Sequence, residues 1–274
     1  MTILFEPTKH LYIDQDDALL NFKSVSSVLN FVKPPFDPDG SILKKYSSKS
    51  RDFIIKDLAK KWELTIEEAN DKWDGIEFNE ASIKKIWDEK KKKSLDRGTK
   101  LHAHKENISL KKGYFPIIYD EQTGYKKSYD LTNLSNGTYP ELIIYNLSHL
   151  LVGTADIVTI YPNNTFEIKD YKTNVIIDFE GFKVFNPENR KKESRKLLKP
   201  VNHLDDCDGL VYSLQLSFYA YMLEQFGYEC KKLTIIHIQT DAQDNITMEV
   251  EYPINYLKKE IITILNYLKT KSNE

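Results

Sequence analysis

The segment from Glu141 to Asn174, 'ELIIYNLSHLLVGTADIVTIYPNNTFEIKDYKTN', constrains the fold more than any other part of the chain. It is rich in β-branched, aromatic and leucine residues, and turn-forming residues divide it into three runs. Such runs favour strands, and their spacing is typical of hairpins. The segment therefore predicts three consecutive strands, which must bury one face against helices from elsewhere in the chain.

The residues before this segment are predicted to be mostly helical. Residues 10–25, 'HLYIDQDDALLNFKSV', predict two short strands around an Asp-rich turn, and a short helix in 'SSVLNFV' follows and ends before Pro34. From Lys44 to Leu110 the apolar residues recur with helical spacing, and Gly98 is expected to interrupt this run.

The residues after the three strands complete the expected fold. 'GLVYSLQLSFYAYMLEQFG' predicts a helix that ends at Gly227, 'KLTIIHIQT' predicts a strand, and an amphipathic helix closes the chain. This order predicts an α/β (α+β) fold, in which a mixed central β-sheet is flanked by helices and the N-terminal part is mostly helical.

Composition excludes several classes of protein. The N-terminus lacks a basic region followed by an apolar run, and no apolar stretch approaches the roughly 20 residues that span a bilayer. Cys207 and Cys230 are too few for a four-cysteine iron–sulfur cluster or zinc site, so no iron–sulfur cluster is expected. We therefore expect a cytosolic chain with reduced thiols and no membrane partner.

The charges are distributed unevenly, although the net charge is only −2. The stretch Lys183–Lys199 holds seven Lys or Arg residues against two Glu, and Lys84–Arg97 holds seven against three acids. Such runs are common on solvated surfaces, but basic patches on a neutral protein also bind polyanions locally.

Two overlapping acid-x-Lys triplets lie in the third predicted strand, Glu167-Ile168-Lys169 and Asp170-Tyr171-Lys172. An acid two residues from a lysine occurs in metal-dependent enzymes that cut phosphodiester bonds. The same spacing is common on exposed hairpins, so neither triplet alone indicates a function.

The connection between the second and third strands sets their register. A three-residue loop, Pro162 to Asn164, is favoured because Pro presets the first φ angle and Asn tolerates the left-handed conformation. This loop places Asp156 opposite Asp170 with Lys172 on the same face, and two adjacent carboxylates favour a divalent cation. A two-residue Asn-Asn loop would instead align Asp156 with the face of Glu167.

Further candidate residues lie on the predicted helices and at the start of the first strand. His102 and Glu106 share one helix face at i and i+4, and Gln215 and Tyr219 do the same on a later helix. Glu141 opens the first of the three strands. Imidazole and carboxylate together suit manganese or magnesium.

The motifs 'RGTKLH', 'GTADIV', 'DYKTN' and 'QLSFYAY' occur in this order. Together they resemble the successive motifs of the PD-(D/E)XK nuclease superfamily, in the RecB-like and phage exonuclease branch that includes mitochondrial genome maintenance exonuclease. The N-terminal 'HLYIDQ' and 'FKSVSSVL' also resemble the opening of the phage-type members. The resemblance selects the triplet that contains Lys172.

The resemblance implies a role for each motif residue. Its implied catalytic residues are Lys172, Asp156 and Asp170. Its implied ligands for Mg²⁺ or Mn²⁺ are His102, Asp156, Asp170 and the backbone carbonyl of Tyr171. Its implied substrate-binding residues are Gln215, Tyr219, Arg97 and Thr99, with Glu141 and Glu106 as accessory candidates.

The resemblance also implies a restriction-endonuclease-like fold. We expect an N-terminal hairpin and helical region over residues 1–95, packed on a nuclease core over residues 96–274. A basic insertion at 175–209 is expected to be a loop over a DNA channel or a contact for a partner.

The implied function is a metal-dependent DNA exonuclease in recombination, repair or replication, consistent with a phage-encoded protein in a bacterial or infected-host cytosol. Its expected partners are single- or double-stranded DNA with a free end, and proteins of recombination or replication. An endonuclease of the same fold and an inactive nucleic-acid-binding or assembly protein are the alternatives.

Overall fold

The computed structural model describes residues 1–17, 19–35, 37–62, 64–73, 79–111, 113–181, 183–186, 190–241 and 245–272. Within these ranges, the side chains of residues 61, 62, 90, 102–111, 186 and 272 lie outside the description. The chain forms two compact units, one of residues 1–34 and 102–274 and one of residues 35–101. We call them the sheet unit and the helical unit.

The strands all belong to the sheet unit. They are β1 (Ile3–Glu6), β2 (Leu11–Asp14), β3 (Lys23–Ser24), β4 (Lys126–Lys127), β5 (Gly137–Asn146), β6 (Leu151–Tyr161), β7 (Thr165–Lys172), β8 (Lys183–Asn186), β9 (Lys191–Ser194), β10 (Glu229–Thr240) and β11 (Ile246–Ile254). The helices are α1 (Val25–Val32), α2 (Pro38–Tyr46), α3 (Arg51–Trp62), α4 (Ile66–Asp71), α5 (Glu80–Lys111), α6 (Asp208–Glu224) and α7 (Lys258–Ser272). Among the described residues, no helix is long and apolar enough to cross a membrane.

The central sheet is mixed and has the strand order β11-β10-β7-β6-β3, with β5 also paired to β6. The pairs β7–β10 and β3–β6 are parallel, whereas β5–β6, β6–β7 and β10–β11 are antiparallel. A separate small sheet has the order β2-β1-β4. This architecture confirms the predicted mixed central sheet flanked by helices.

Helix α6 is the central helix of the sheet unit. Leu214, Leu216, Phe218 and Met222 are all fully buried in the core that the sheet shares with α1 and α7. Because almost every face of α6 is covered, the polar groups on it are held in fixed positions among packed side chains.

The helical unit has its own apolar core, to which α2, α3, α4 and α5 contribute. Thr65 caps α4 by accepting from the Glu68 backbone N–H, and the Thr65 backbone N–H donates to the Glu68 carboxylate. The expected interruption near Gly98 is wrong, since α5 is continuous from Glu80 to Lys111. One interior glycine costs a helix only about 1 kcal/mol relative to alanine, which the surrounding good helix formers offset.

Three other features went beyond the sequence prediction. Strands β1, β4 and β11 were not predicted, and the basic stretch 175–209 contains the β8–β9 hairpin. Strand β11 lies at the edge of the sheet with few buried residues, so its sequence carries a weak apolar alternation. Residues 1–34 belong to the sheet unit. The predicted domain boundary near residue 95 stays a prediction.

Candidate functional site

The β6–β7 hairpin has the register of the three-residue loop. Tyr161 pairs with Thr165, and Pro162, Asn163 and Asn164 connect them. A three-residue hairpin loop ordinarily has a type I turn followed by one left-handed residue, but here both asparagines have positive φ angles, +68° and +57°. Asparagine adopts this region at low cost because its short polar side chain can bond locally.

Asp156 lies where β6 stops pairing with β7 and where its pairing with β5 skips one position before resuming at Leu142–Ala155. Toward β7 the ladder ends at the pair Ile157–Lys169, and the Tyr171 backbone N–H donates to Asp156 Oδ2 at 2.7 Å. Toward β5 the flanking pairs place Glu141 opposite Asp156, but a φ angle of +49° turns Glu141 out of the ladder. The end of the β6–β7 ladder therefore opens a gap between these two strands beside the Asp156 carboxylate.

Asp170 and Lys172 face this gap from β7. Asp170 is 2% exposed, and its carboxylate forms an ion pair with the Lys172 ammonium, whose side chain is 16% exposed. Burial lowers the pKa of Lys172, but the nearby carboxylates of Asp170 and Asp156 outweigh that effect and raise its pKa overall. Lys172 is consequently a stable cation at neutral pH.

A hydrogen-bonded chain joins Lys172 to helix α6. The Lys172 ammonium donates to Gln215 Oε1 at 3.2 Å, and Gln215 Nε2 donates to the Tyr219 hydroxyl oxygen at 3.0 Å. Tyr219 is buried. Its burial, and to a lesser extent the nearby charge of Asp170, raises the pKa of its hydroxyl well above the ordinary value. The predicted helix residues therefore meet the predicted strand residues in one polar cluster.

Gly153, in the motif 'GTADIV', makes room for this cluster. A Cβ atom at Gly153 would lie 2.6 Å from Cε1 of Tyr219. Real Cβ atoms do not approach another atom so closely, so the Tyr219 ring could not keep its position beside any other residue.

Three residues outside the predicted site, Tyr212, Asn174 and His237, form a chain of contacts that reaches Lys172. The Lys172 Nζ atom lies 4.6 Å from the ring centroid of Tyr212, and the Tyr212 hydroxyl donates to Asn174 Oδ1 at 2.8 Å. The backbone carbonyl of Asn174 lies 2.7 Å from Nε2 of the buried His237. Tyr212 precedes Gln215 by three residues on one helix face, which was the available signal for its position.

The other triplet lies on the opposite face of β7. Glu167 accepts a hydrogen bond from the Tyr161 hydroxyl at 3.0 Å, and Lys169 pairs with Glu251 at 2.8 Å. Both pairings are structural contacts between strands, and both lie outside the gap.

A cavity of about 270 Å³ adjoins the Asp156 side of the gap. Helix α6 contributes Gln215 and Tyr219 to its lining, while the β1–β2 hairpin and the start of α1 form another part. Glu141 also lines it and pairs with Lys126 at 3.2 Å. The sequence did not predict this cavity, because its walls come from segments more than 100 residues apart.

Several predicted residues are not part of this cluster as described. The side chains of His102 and Glu106 lie outside the described residues. Arg97 and Thr99 lie on α5 within the helical unit, where the Thr99 hydroxyl donates to the Leu95 carbonyl at 3.1 Å. Among the side chains that are described, no three His, Cys, Asp or Glu residues form a group able to hold a metal ion.

In comparisons with known proteins, the chain matches no protein-family model and no curated protein.

Proposed function

We propose that this chain is a metal-dependent DNA exonuclease of the PD-(D/E)XK superfamily, in its RecB-like branch. The observation that carries the proposal is the cluster at the gap, where Asp156 and Asp170 lie beside Lys172. The order of the four sequence motifs supports the same function. We place its activity in DNA recombination, repair or replication in the cytosol of a bacterium or phage-infected cell.

The charges at the gap suit a divalent cation. Asp170 forms an ion pair with Lys172, and the carboxylates of Asp156 and Asp170 both raise the pKa of Lys172, so two carboxylates lie beside this ammonium. Carboxylate oxygens are the preferred ligands of Mg²⁺ and Mn²⁺. Asp156 and Asp170 would hold the ion, with His102 and the Tyr171 carbonyl as further ligands expected from the resemblance. When bound, such an ion polarises a phosphate and lowers the pKa of a coordinated water.

Lys172 acts as a fixed positive charge in this mechanism. The carboxylates of Asp170 and Asp156 raise its pKa, which favours the ammonium form. A compact ammonium orients the attacking water or stabilises the charge that develops on the phosphate. Gln215 directs the ammonium by accepting a hydrogen bond from it, and the Tyr219 hydroxyl fixes Gln215 in turn by accepting from its Nε2.

End dependence tests the exonuclease assignment. We expect linear DNA to be degraded in Mg²⁺ or Mn²⁺ while covalently closed circular DNA of the same sequence stays intact. Equal degradation of both forms would replace the exonuclease with an endonuclease of the same chemistry. Absence of cleavage in both ions, with a folded protein, would refute the proposed function itself.

A further inference from the structure

The cavity beside Asp156 has one wall built of aromatic rings, and we call it the aromatic cavity. Phe5, His10 and Tyr12 line it from the β1–β2 hairpin. The ring centroids of Phe5 and Tyr12 lie 4.8 Å apart. The Phe5 and His10 rings meet edge to face, with their centroids 5.1 Å apart. The Tyr12 hydroxyl lies 3.0 Å from the Thr154 hydroxyl of β6, which holds this wall against the central sheet two residues from Asp156.

The polar groups of the aromatic cavity do not favour an anion. Its ammonium, on Lys126, is paired with Glu141, and Asp156 adds a further carboxylate. The hydroxyls of Ser24 and Ser26 also line the cavity. Such a lining suits a neutral, flat molecule that stacks on rings and exchanges hydrogen bonds at its edge.

The size of the aromatic cavity limits what can enter. Its volume of about 270 Å³ lies just below the roughly 300 Å³ at which sites for small organic ligands begin. One nucleoside fits such a space, whereas a base pair does not. A base inside it would have left its partner strand, and its phosphate would lie toward Asp156.

We propose that the aromatic cavity binds the unpaired base of the nucleotide next to the scissile phosphate. This inference rests on the proposed nuclease function and adds a substrate class to it, because it makes single-stranded or frayed ends the preferred substrate. Aromatic stacking holds any of the four bases, so the site selects for an unpaired nucleotide and not for a sequence.

Substrates without bases test this inference on the unmodified protein. A single-stranded oligonucleotide and a matched oligonucleotide with tetrahydrofuran abasic residues at the cleaved end present the same phosphates in Mn²⁺. We expect KM for the abasic strand to be on the order of ten-fold higher, since base–aromatic stacking is lost. Equal kcat and KM for the two strands would overturn the inference and leave the nuclease function standing. Failure to cut either strand would refute both.

A substitution of the exposed His10 tests whether the aromatic wall causes the discrimination against the abasic strand. His10 is exposed and has a φ angle of +54°, which asparagine tolerates, so His10→Asn removes a ring from the wall without straining the turn. We expect this variant to bind the normal strand less tightly and to lose part of the discrimination against the abasic strand. Lys9→Asn, in the same turn and outside the cavity lining, is the matched control. A His10→Asn protein that discriminates as strongly as the parent would contradict the assignment of this wall.

Discussion

The two acid-x-Lys triplets of β7 are only three residues apart but occupy opposite environments. On one face, Lys169 is 33% exposed and its partner Glu251 is 48% exposed. On the other face, Asp170 is almost fully buried, and Lys172 contacts Asp170, Gln215 and the Tyr212 ring. The same residue types therefore form a surface ion pair on one face and a buried polar cluster on the other.

The difference shows how burial changes the chemistry of a motif. An exposed ion pair is screened by solvent and contributes about 0–1 kcal/mol. In a buried cluster the charges interact more strongly, and a charge left unbalanced must be compensated by a ligand. Asp156 and Asp170 both raise the pKa of the buried Lys172, so a cation bound at that face would lie beside two carboxylates.

Replacement of Lys172 should cause the largest loss of nuclease activity. Lys172→Ala removes the ammonium that contacts Asp170 and Gln215, so we expect nuclease activity to fall by on the order of 10²-fold or more. Lys169→Ala is the matched control, and it should keep activity within about two-fold, since an exposed pair contributes little. The measurement is the initial rate on linear DNA in Mn²⁺, with circular dichroism as the check that both variants fold. Similar losses of activity in both variants would show that the buried face of β7 contributes no more to catalysis than the exposed face.

The sequence could predict the face of Lys172 because the information was local. Pro162 and the two asparagines specify the loop, the loop specifies the register, and period-two alternation then assigns each side chain to a face. Helical spacing likewise placed Gln215 and Tyr219 on one helix face, and the resemblance assigned that face to the site.

The aromatic cavity and the network around Tyr212 depend on contacts that no local pattern encodes. Tyr12 contacts Thr154 across 142 positions, and His237 contacts Asn174 across 63. Such pairings follow from the topology of the sheet, which brings β10 parallel to β7 and places the β1–β2 hairpin beside the gap. Single-sequence patterns do not specify topology at this level, because many topologies bury the same apolar faces.

An alanine at Gly153 should disturb the buried face and leave the exposed pair of Lys169 and Glu251 unchanged. Its Cβ would collide with the Tyr219 ring, so we expect Gly153→Ala to lower the free energy of unfolding by about 1–3 kcal/mol. Chemical denaturation of the variant measures the loss. Activity should also fall, because Tyr219 fixes Gln215 and Gln215 directs Lys172.

A double-mutant cycle identifies the cause of that loss. In a Tyr219→Leu background the aromatic ring that the alanine would strike is absent, so the added cost of Gly153→Ala should shrink. A coupling free energy of about 1 kcal/mol is the expected size for residues in contact. Strictly additive losses would show that the Tyr219 ring is not what excludes a side chain at position 153.

Neutralising Glu251 should produce the smallest effect, because it acts on the exposed face. The hydrogen bond from Lys169 lowers the pKa of Glu251, so the pair stabilises the fold at pH values above the ordinary carboxyl pKa of about 4.3. That stability is lost as the pH falls through the lowered pKa of the folded state. Glu251→Gln should therefore cost at most about 1 kcal/mol at pH 7, and the cost should diminish below about pH 4 and in high salt. Denaturation of parent and variant at pH 7, 5 and 3 measures the difference, while nuclease activity at pH 7 should stay unchanged. A cost well above 1 kcal/mol, or one that grows as the pH falls, would mean that the pair on this face is not the screened surface contact that its exposure indicates.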